Sequence, residues 1–107
     1  MILQINFNLN VPTAEYQKVI DSVAPAFVDV PGLMWKIWLL NPEAKEAGGI
    51  YLFDSEASLE AYRNGPLVAK LRALPAVENI SVKLFEIVPE ATALTRGPVA
   101  MVGPSCS

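Results

Sequence analysis

The sequence predicts an α+β fold of ferredoxin-like type, ordered βαββαβ, with one four-stranded antiparallel sheet that meets a second copy as a dimeric α+β barrel. Three observations predict it. Apolar periodicity alternates between two and the helical spacing along the chain in the order strand, helix, strand, strand, helix, strand. A length of 107 residues holds one hydrophobic core and not two. Apolar residues make up 52% of the chain against 18% charged, more than a lone small domain hides, and the run 33–40 is apolar on both faces apart from Lys36.

Leu3, Ile5, Phe7 and Leu9 alternate with Gln4, Asn6 and Asn8, which puts the amides on one face of a first strand. Tyr16, Val19, Ile20, Val23, Ala24 and Phe27 then recur at helical spacing, with Thr13 as the expected N-cap and Pro25 as a kink near the end. Pro31-Gly32 turns the chain into the second strand, 33–40. The loop 41–47 and Gly48-Gly49 lead to a third strand, 50–53, so the second and third strands form a hairpin with the glycines expected in its turn or in a bulge. Asp54 or Ser55 caps a helical region that Asn64-Gly65-Pro66 breaks in two, and a fourth strand is expected over 80–88. Residues 1–90 form the domain. Residues 91–107 are a Pro-, Ala- and Thr-rich C-terminal tail with a helical turn around 91–96.

With both helices on one face of the sheet, the other face needs a cover. If Leu33, Trp35 and Ile37 meet the helices, then Met34, Trp38 and Leu40 have nothing from their own chain above them, and the opposite phase has the same consequence. Burying three such side chains is worth roughly 5–8 kcal/mol, or about 10–16 kcal/mol when a two-fold dimer uses the patch twice. Association costs about 4–15 kcal/mol, so the other strands must contribute. A homodimer with the sheets face to face satisfies this requirement.

Composition removes several functions. The net charge is −3 and the basic residues are scattered, so the phosphate attraction behind nucleic-acid binding is missing. The third strand also lacks the basic aromatic signature of RNA-recognition domains of this order. Histidine is absent, which removes the usual neutral-pH base and the commonest metal ligand. The only cysteine, Cys106, forms no internal disulfide, and the paired cysteines of a metal chaperone are missing from the first loop. No apolar run reaches the length of a membrane span and the N-terminus is not that of a signal peptide, so the expected location is cytoplasmic, without a membrane partner.

Two blocks, Pro31-Gly32-Leu33-Met34-Trp35-Lys36-Ile37-Trp38 and Glu46-Ala47-Gly48-Gly49-Ile50-Tyr51-Leu52-Phe53, resemble the YdhR-like monooxygenase family. The likeness extends in element order over residues 3–88, and Thr95-Arg96-Gly97-Pro98 is similar to the tails of some members. The resemblance implies a dimeric α+β barrel related to small monooxygenases that oxidise phenolic, polyketide-type molecules without flavin, haem or metal. It supplies a class and transfers no catalytic residue.

Cofactor-independent oxygenation needs a dry cavity, aromatic walls for a flat substrate and a group that accepts a proton or stabilises an oxyanion. Trp35, Trp38, Tyr51, Phe53 and Tyr62 are the candidate walls, although Trp and Tyr are equally at home in a core or an interface. Lys36 is the first catalytic candidate, because a lone ammonium in an apolar strand must find a ligand oxyanion, a carboxylate such as Glu86, or water. Asn6, central in the amide row, is the second; a polar strip on a sheet also serves simply as a solvated face. Arg63, Lys70 and Arg72 read as a solvated helix face. The expected function is thus a monooxygenase acting on a small phenolic or quinol-like aromatic, needing no cofactor and no metal. The competing readings are a non-catalytic dimer that binds small hydrophobic molecules, and an isomerase or cyclase on the same barrel.

Overall fold

A computed structural model describes residues 1–99, so Cys106 lies outside the described residues. The elements run β1 (Ile2–Leu9), α1 (Thr13–Phe27), β2 (Leu33–Asn41), β3 (Glu46–Phe53), α2 (Glu56–Arg63), α3 (Pro66–Ala73), β4 (Val77–Phe85) and α4 (Pro89–Leu94). The four strands form one antiparallel sheet in the order β2-β3-β1-β4, which is the predicted ferredoxin-like topology.

The alternation in β1 fixes which face is which. Leu3, Ile5, Phe7 and Leu9 are all buried and contribute to the main core with Tyr16, Tyr51, Phe53, Leu59, Tyr62 and Val68. Each such side chain contributes about 1.5–3 kcal/mol on burial. The intervening Gln4, Asn6 and Asn8 point to the opposite, open face, where Gln4 Nε2 donates to Asn6 Oδ1 at 2.9 Å.

Helix starts follow local chemistry, with one correction. Ser55 caps α2, its hydroxyl accepting from the Ser58 backbone N–H at 3.1 Å. Thr13 does not cap α1: Pro12 is the cap residue, no side-chain cap bond forms, and Thr13 is already helical. The helix continues through Pro25 to Phe27. Helices α2 and α3 are separate, broken at Asn64-Gly65 as the sequence indicates, with Pro66 preset for the first turn of α3.

The hairpin glycines are not in a turn. The tight turn falls at residues 42–45, where Lys45 takes φ 51°, and Gly48 and Gly49 pair inside β3 with Asn6 and Ile5 of β1. Space explains them better than backbone freedom: a Cβ on Gly48 would collide with the Ile5 carbonyl, and one on Gly49 would lie 2.8 Å from Lys36 Cε.

The fourth strand begins three residues earlier than predicted. Asn79 adopts φ 57° and donates from Nδ2 to Asn8 Oδ1 at 3.2 Å, absorbing an irregularity opposite β1 so that Val77 pairs with Leu9.

In β2 a bulge at Met34 resets the phase. Leu33 pairs with Phe53 and faces the helices, whereas Trp35 pairs with Leu52. From there Lys36, Trp38 and Leu40 face the helices and Trp35, Ile37 and Leu39 face the open side. The expectation that nothing from the same chain reaches that side is also corrected: the Trp35 indole N–H donates to the Pro98 carbonyl at 2.7 Å, and Val99 beside it is buried. Ile37, at 48% exposure, remains uncovered.

Candidate active site

On the helix-facing side, the β2 residues Lys36 and Trp38 lie beside Tyr51 of β3 and beneath Phe27 of α1 and Tyr62 of α2. They line a cavity of about 440 Å³ that Tyr16 and Val19 of α1 and Leu67, Lys70 and Leu71 of α3 help to close. The lining is predominantly aromatic and aliphatic, the composition expected of a site for a flat apolar molecule.

Lys36 is held in an aromatic cage. Its Nζ lies 3.3 Å from the centroid of Trp38, 3.8 Å from Phe27 and 4.6 Å from Tyr51. It neither pairs with Glu86 nor turns out to solvent; among the described residues the one ion pair is Arg63–Glu60, at 3.3 Å. Burial pulls the Lys36 pKa down from 10.5 to about 7. The ring faces act in the opposite sense by favouring the ammonium, each by about 0.5–2 kcal/mol depending on its desolvation. Burial and the ring faces thus act on this amine in opposite directions. Gly49 makes the pose possible, since the Lys36 stem crosses the space a side chain there would fill.

Tyr51 and Tyr62 form the other polar element. Tyr62 donates its hydroxyl to the Tyr51 oxygen at 3.1 Å, which leaves the Tyr51 proton available to a ligand oxygen. Burial, together with the neighbouring Tyr62, raises the Tyr51 pKa far above the ordinary phenol value. Burial likewise pushes Tyr62 up to about 12 and Tyr16 up to about 12. All three are therefore hydrogen-bond donors at neutral pH.

The seven candidates from the sequence divide between the two sheet faces. Lys36, Trp38, Tyr51 and Tyr62 come together around the cavity. Phe53 is 2% exposed and supports it from behind, its ring 5.5 Å from Tyr62 and stacked on Tyr51 at 6.3 Å. Asn6 and Trp35 lie on the open face and reach none of these groups. Phe27 and Lys70 do not stand out in the sequence as members of this site. Phe27 fits the apolar stripe of α1 like any core residue, and only its ring contact with Trp38, 5.1 Å and edge-on, reveals the second task.

Among the described residues no three His, Cys, Asp or Glu side chains converge on a common point, and no helix is long and apolar enough to cross a membrane. A second hollow of about 620 Å³ lies outside the first, lined by Asp29, Val30, Ser58, Ala61 and Pro66 among others, with Tyr62 and Leu67 common to both.

Comparison with known proteins bears on the family and the fold. A family model described as "Putative mono-oxygenase ydhR" matches residues 2–98. No curated protein matches the chain. Among solved structures, the NE2512 protein of Nitrosomonas europaea, of unknown function, superposes with TM-score 0.70 at 21% identity, covering 81% of this chain and 87% of that one. The heme-degrader MhuD of Mycobacterium tuberculosis, with two hemes bound in its active site, gives 0.64 at 21% identity over 82% and 96%. SnoaB, a cofactor-independent oxygenase of Streptomyces nogalater, gives 0.61 at 17% identity over 83% and 96%. At these identities the structural likeness establishes the fold alone.

Proposed function

The chain belongs to the ydhR mono-oxygenase family, and from that premise we propose that it is a cofactor-independent monooxygenase acting on a small phenolic or quinol-like aromatic bound between sheet and helices. The observation that carries this reading is the caged, carboxylate-free amine of Lys36 in an apolar cavity. Haem chemistry of the kind named for MhuD is not carried over, because histidine, a frequent axial ligand, is absent from the chain.

The neutral Lys36 amine accepts a proton from an acidic position of the substrate, such as the methylene carbon of an anthrone. The ring faces of Trp38, Phe27 and Tyr51 stabilise the ammonium so formed. Tyr51 donates a hydrogen bond to the substrate oxygen on which negative charge collects. The electron-rich anion reduces molecular oxygen and forms the new C–O bond, and Lys36 returns its proton to the peroxide. Loss of water breaks the O–O bond and the remaining C–H bond. In sum, a methylene and O₂ give a carbonyl and water, with all four electrons supplied by the substrate.

The same proposal has two copies meeting through their open faces, where Ile37, Leu39 and Ile50 supply apolar surface and Gln4 and Asn6 supply amides. Asn6 then serves that interface and takes no part in the proton transfer. A single cysteine in 107 residues suits the cytoplasm. The test is oxygen uptake with 1,8-dihydroxy-9-anthrone in chelator-treated buffer. Stoichiometric consumption of one O₂ per anthraquinone formed, above the uncatalysed rate, is expected. Tight binding of the anthrone with no acceleration would leave a non-catalytic binder.

A further inference from the structure

The inner cavity carries one sign of charge. Among the described residues, Lys36 and Lys70 are the only charged ones lining it, in a chain where 11 acidic residues outnumber 8 basic ones. The outer hollow has the opposite character, with Asp29 as its one charged lining residue among the described residues. A local positive site in an acidic protein focuses anions toward itself.

The two lysines occupy different depths. Lys36 is sunk among rings, whereas Lys70, on α3, is solvent-exposed like the lining residues Val23 and Ala73, and it is the charged one of the three, so it lies where the cavity meets water. Resting on the reading of this cavity as the substrate site, we propose that it selects aromatic substrates bearing a carboxylate remote from the reacting carbon, and that Lys70 is the specificity-determining residue that holds this carboxylate at the mouth.

Depth decides the orientation. A carboxylate placed against Lys36 would lose its hydration, which a dry aromatic cage does not replace. It would also hold the amine in its charged form and remove the proton acceptor. At Lys70 the carboxylate stays partly hydrated, and a flexible ammonium with three rotatable donors meets it without demanding one geometry. The phenolic end of the substrate then enters first, between Tyr51 and Lys36.

The experiment compares binding of 6-hydroxy-2-naphthoate and 2-naphthol by calorimetry, under anaerobic conditions and at low salt, so that no turnover is needed. The naphthoate should bind roughly three- to fivefold tighter, the size expected of a solvent-exposed charge pair, and the preference should shrink at high salt. Lys70→Gln should abolish the preference and Lys70→Glu invert it, each read as the ratio of the two affinities measured on the same variant. Lys18→Gln, which removes the same charge from an exposed position of α1 outside the cavity, should keep it. Equal affinities in the parent protein, or a preference that survives Lys70→Gln, would overturn the proposal. Failure of both compounds to bind would overturn it together with the cavity reading. The predicted preference, together with no acceleration of oxygen uptake in the separate anthrone assay, would leave the ligand class standing and refute the oxygenase.

Discussion

The two faces of the sheet are made from the same strands and differ in almost everything else. The helix-covered face holds one cation, three ring faces around it and a pair of bonded phenols. The open face carries a row of amides beside half-exposed Ile37, crossed at one corner by the Pro98 contact with Trp35. The proton transfer proposed for Lys36 requires an amine that is dry and unpaired, and among the described residues the covered face provides one. The open face offers what a second copy needs, namely apolar area with hydrogen-bonding partners that tolerate water until association.

The sharpest way to break this division is to compare Lys36→Met with Asn6→Ala. Loss of a positioned proton acceptor should lower kcat about 10²–10⁴-fold in oxygen-uptake assays, whereas Asn6→Ala should stay within about twofold of the parent, as substitutions away from the site do. Equal losses would join the two faces into one site. The same Lys36→Met change should stabilise the fold in acid. The folded-state pKa of Lys36 lies below its unfolded value, so the folded chain binds fewer protons between about pH 7 and pH 10 and its stability rises across that window. Below it the penalty of burying the ammonium is fully present. Thermal melts at pH 6 should therefore show Lys36→Met more stable by about 1–2 kcal/mol, and the rise with pH should vanish in the variant.

Charging the other face tests its separate role. Ile37→Glu should weaken self-association by about 10²-fold or more, the cost of desolvating an unpaired carboxylate in an interface. Sedimentation equilibrium reads this directly, and a parent protein that is already a stable monomer at low micromolar concentration would remove the dimer. The smallest expected effect is that of Tyr62→Phe. It deletes the donor to Tyr51 and should cost about 0.5–1.5 kcal/mol in chemical denaturation.

Much of this division was legible in the residues, and the exceptions have physical reasons. The alternation in β1 set its two faces because only one of them is apolar. Strand β2 is apolar on both, so its phase was open, and the bulge at Met34 decided it. Lys36 stood out as the lone charge in that strand, yet its partners were legible only in space: Phe27 lies on another element and its spacing is that of ordinary core. Gly48 and Gly49 read as a turn or a bulge because paired glycines usually supply backbone freedom, whereas here they supply room. The early start of β4 depends on Asn79 taking a positive φ, which no periodicity signals. The Trp35–Pro98 bond spans 63 residues and leaves no local trace.

Everything proposed for the covered face requires Lys36 to be a dry amine that exchanges its proton near neutrality. A ¹³C NMR titration of the Lys36 Cε resonance, assigned by its loss in Lys36→Met, reads that directly. The expected midpoint lies near 7, matched by the inflection above which oxygen uptake reaches its plateau. A midpoint near 10, as for a solvated lysine, would contradict it.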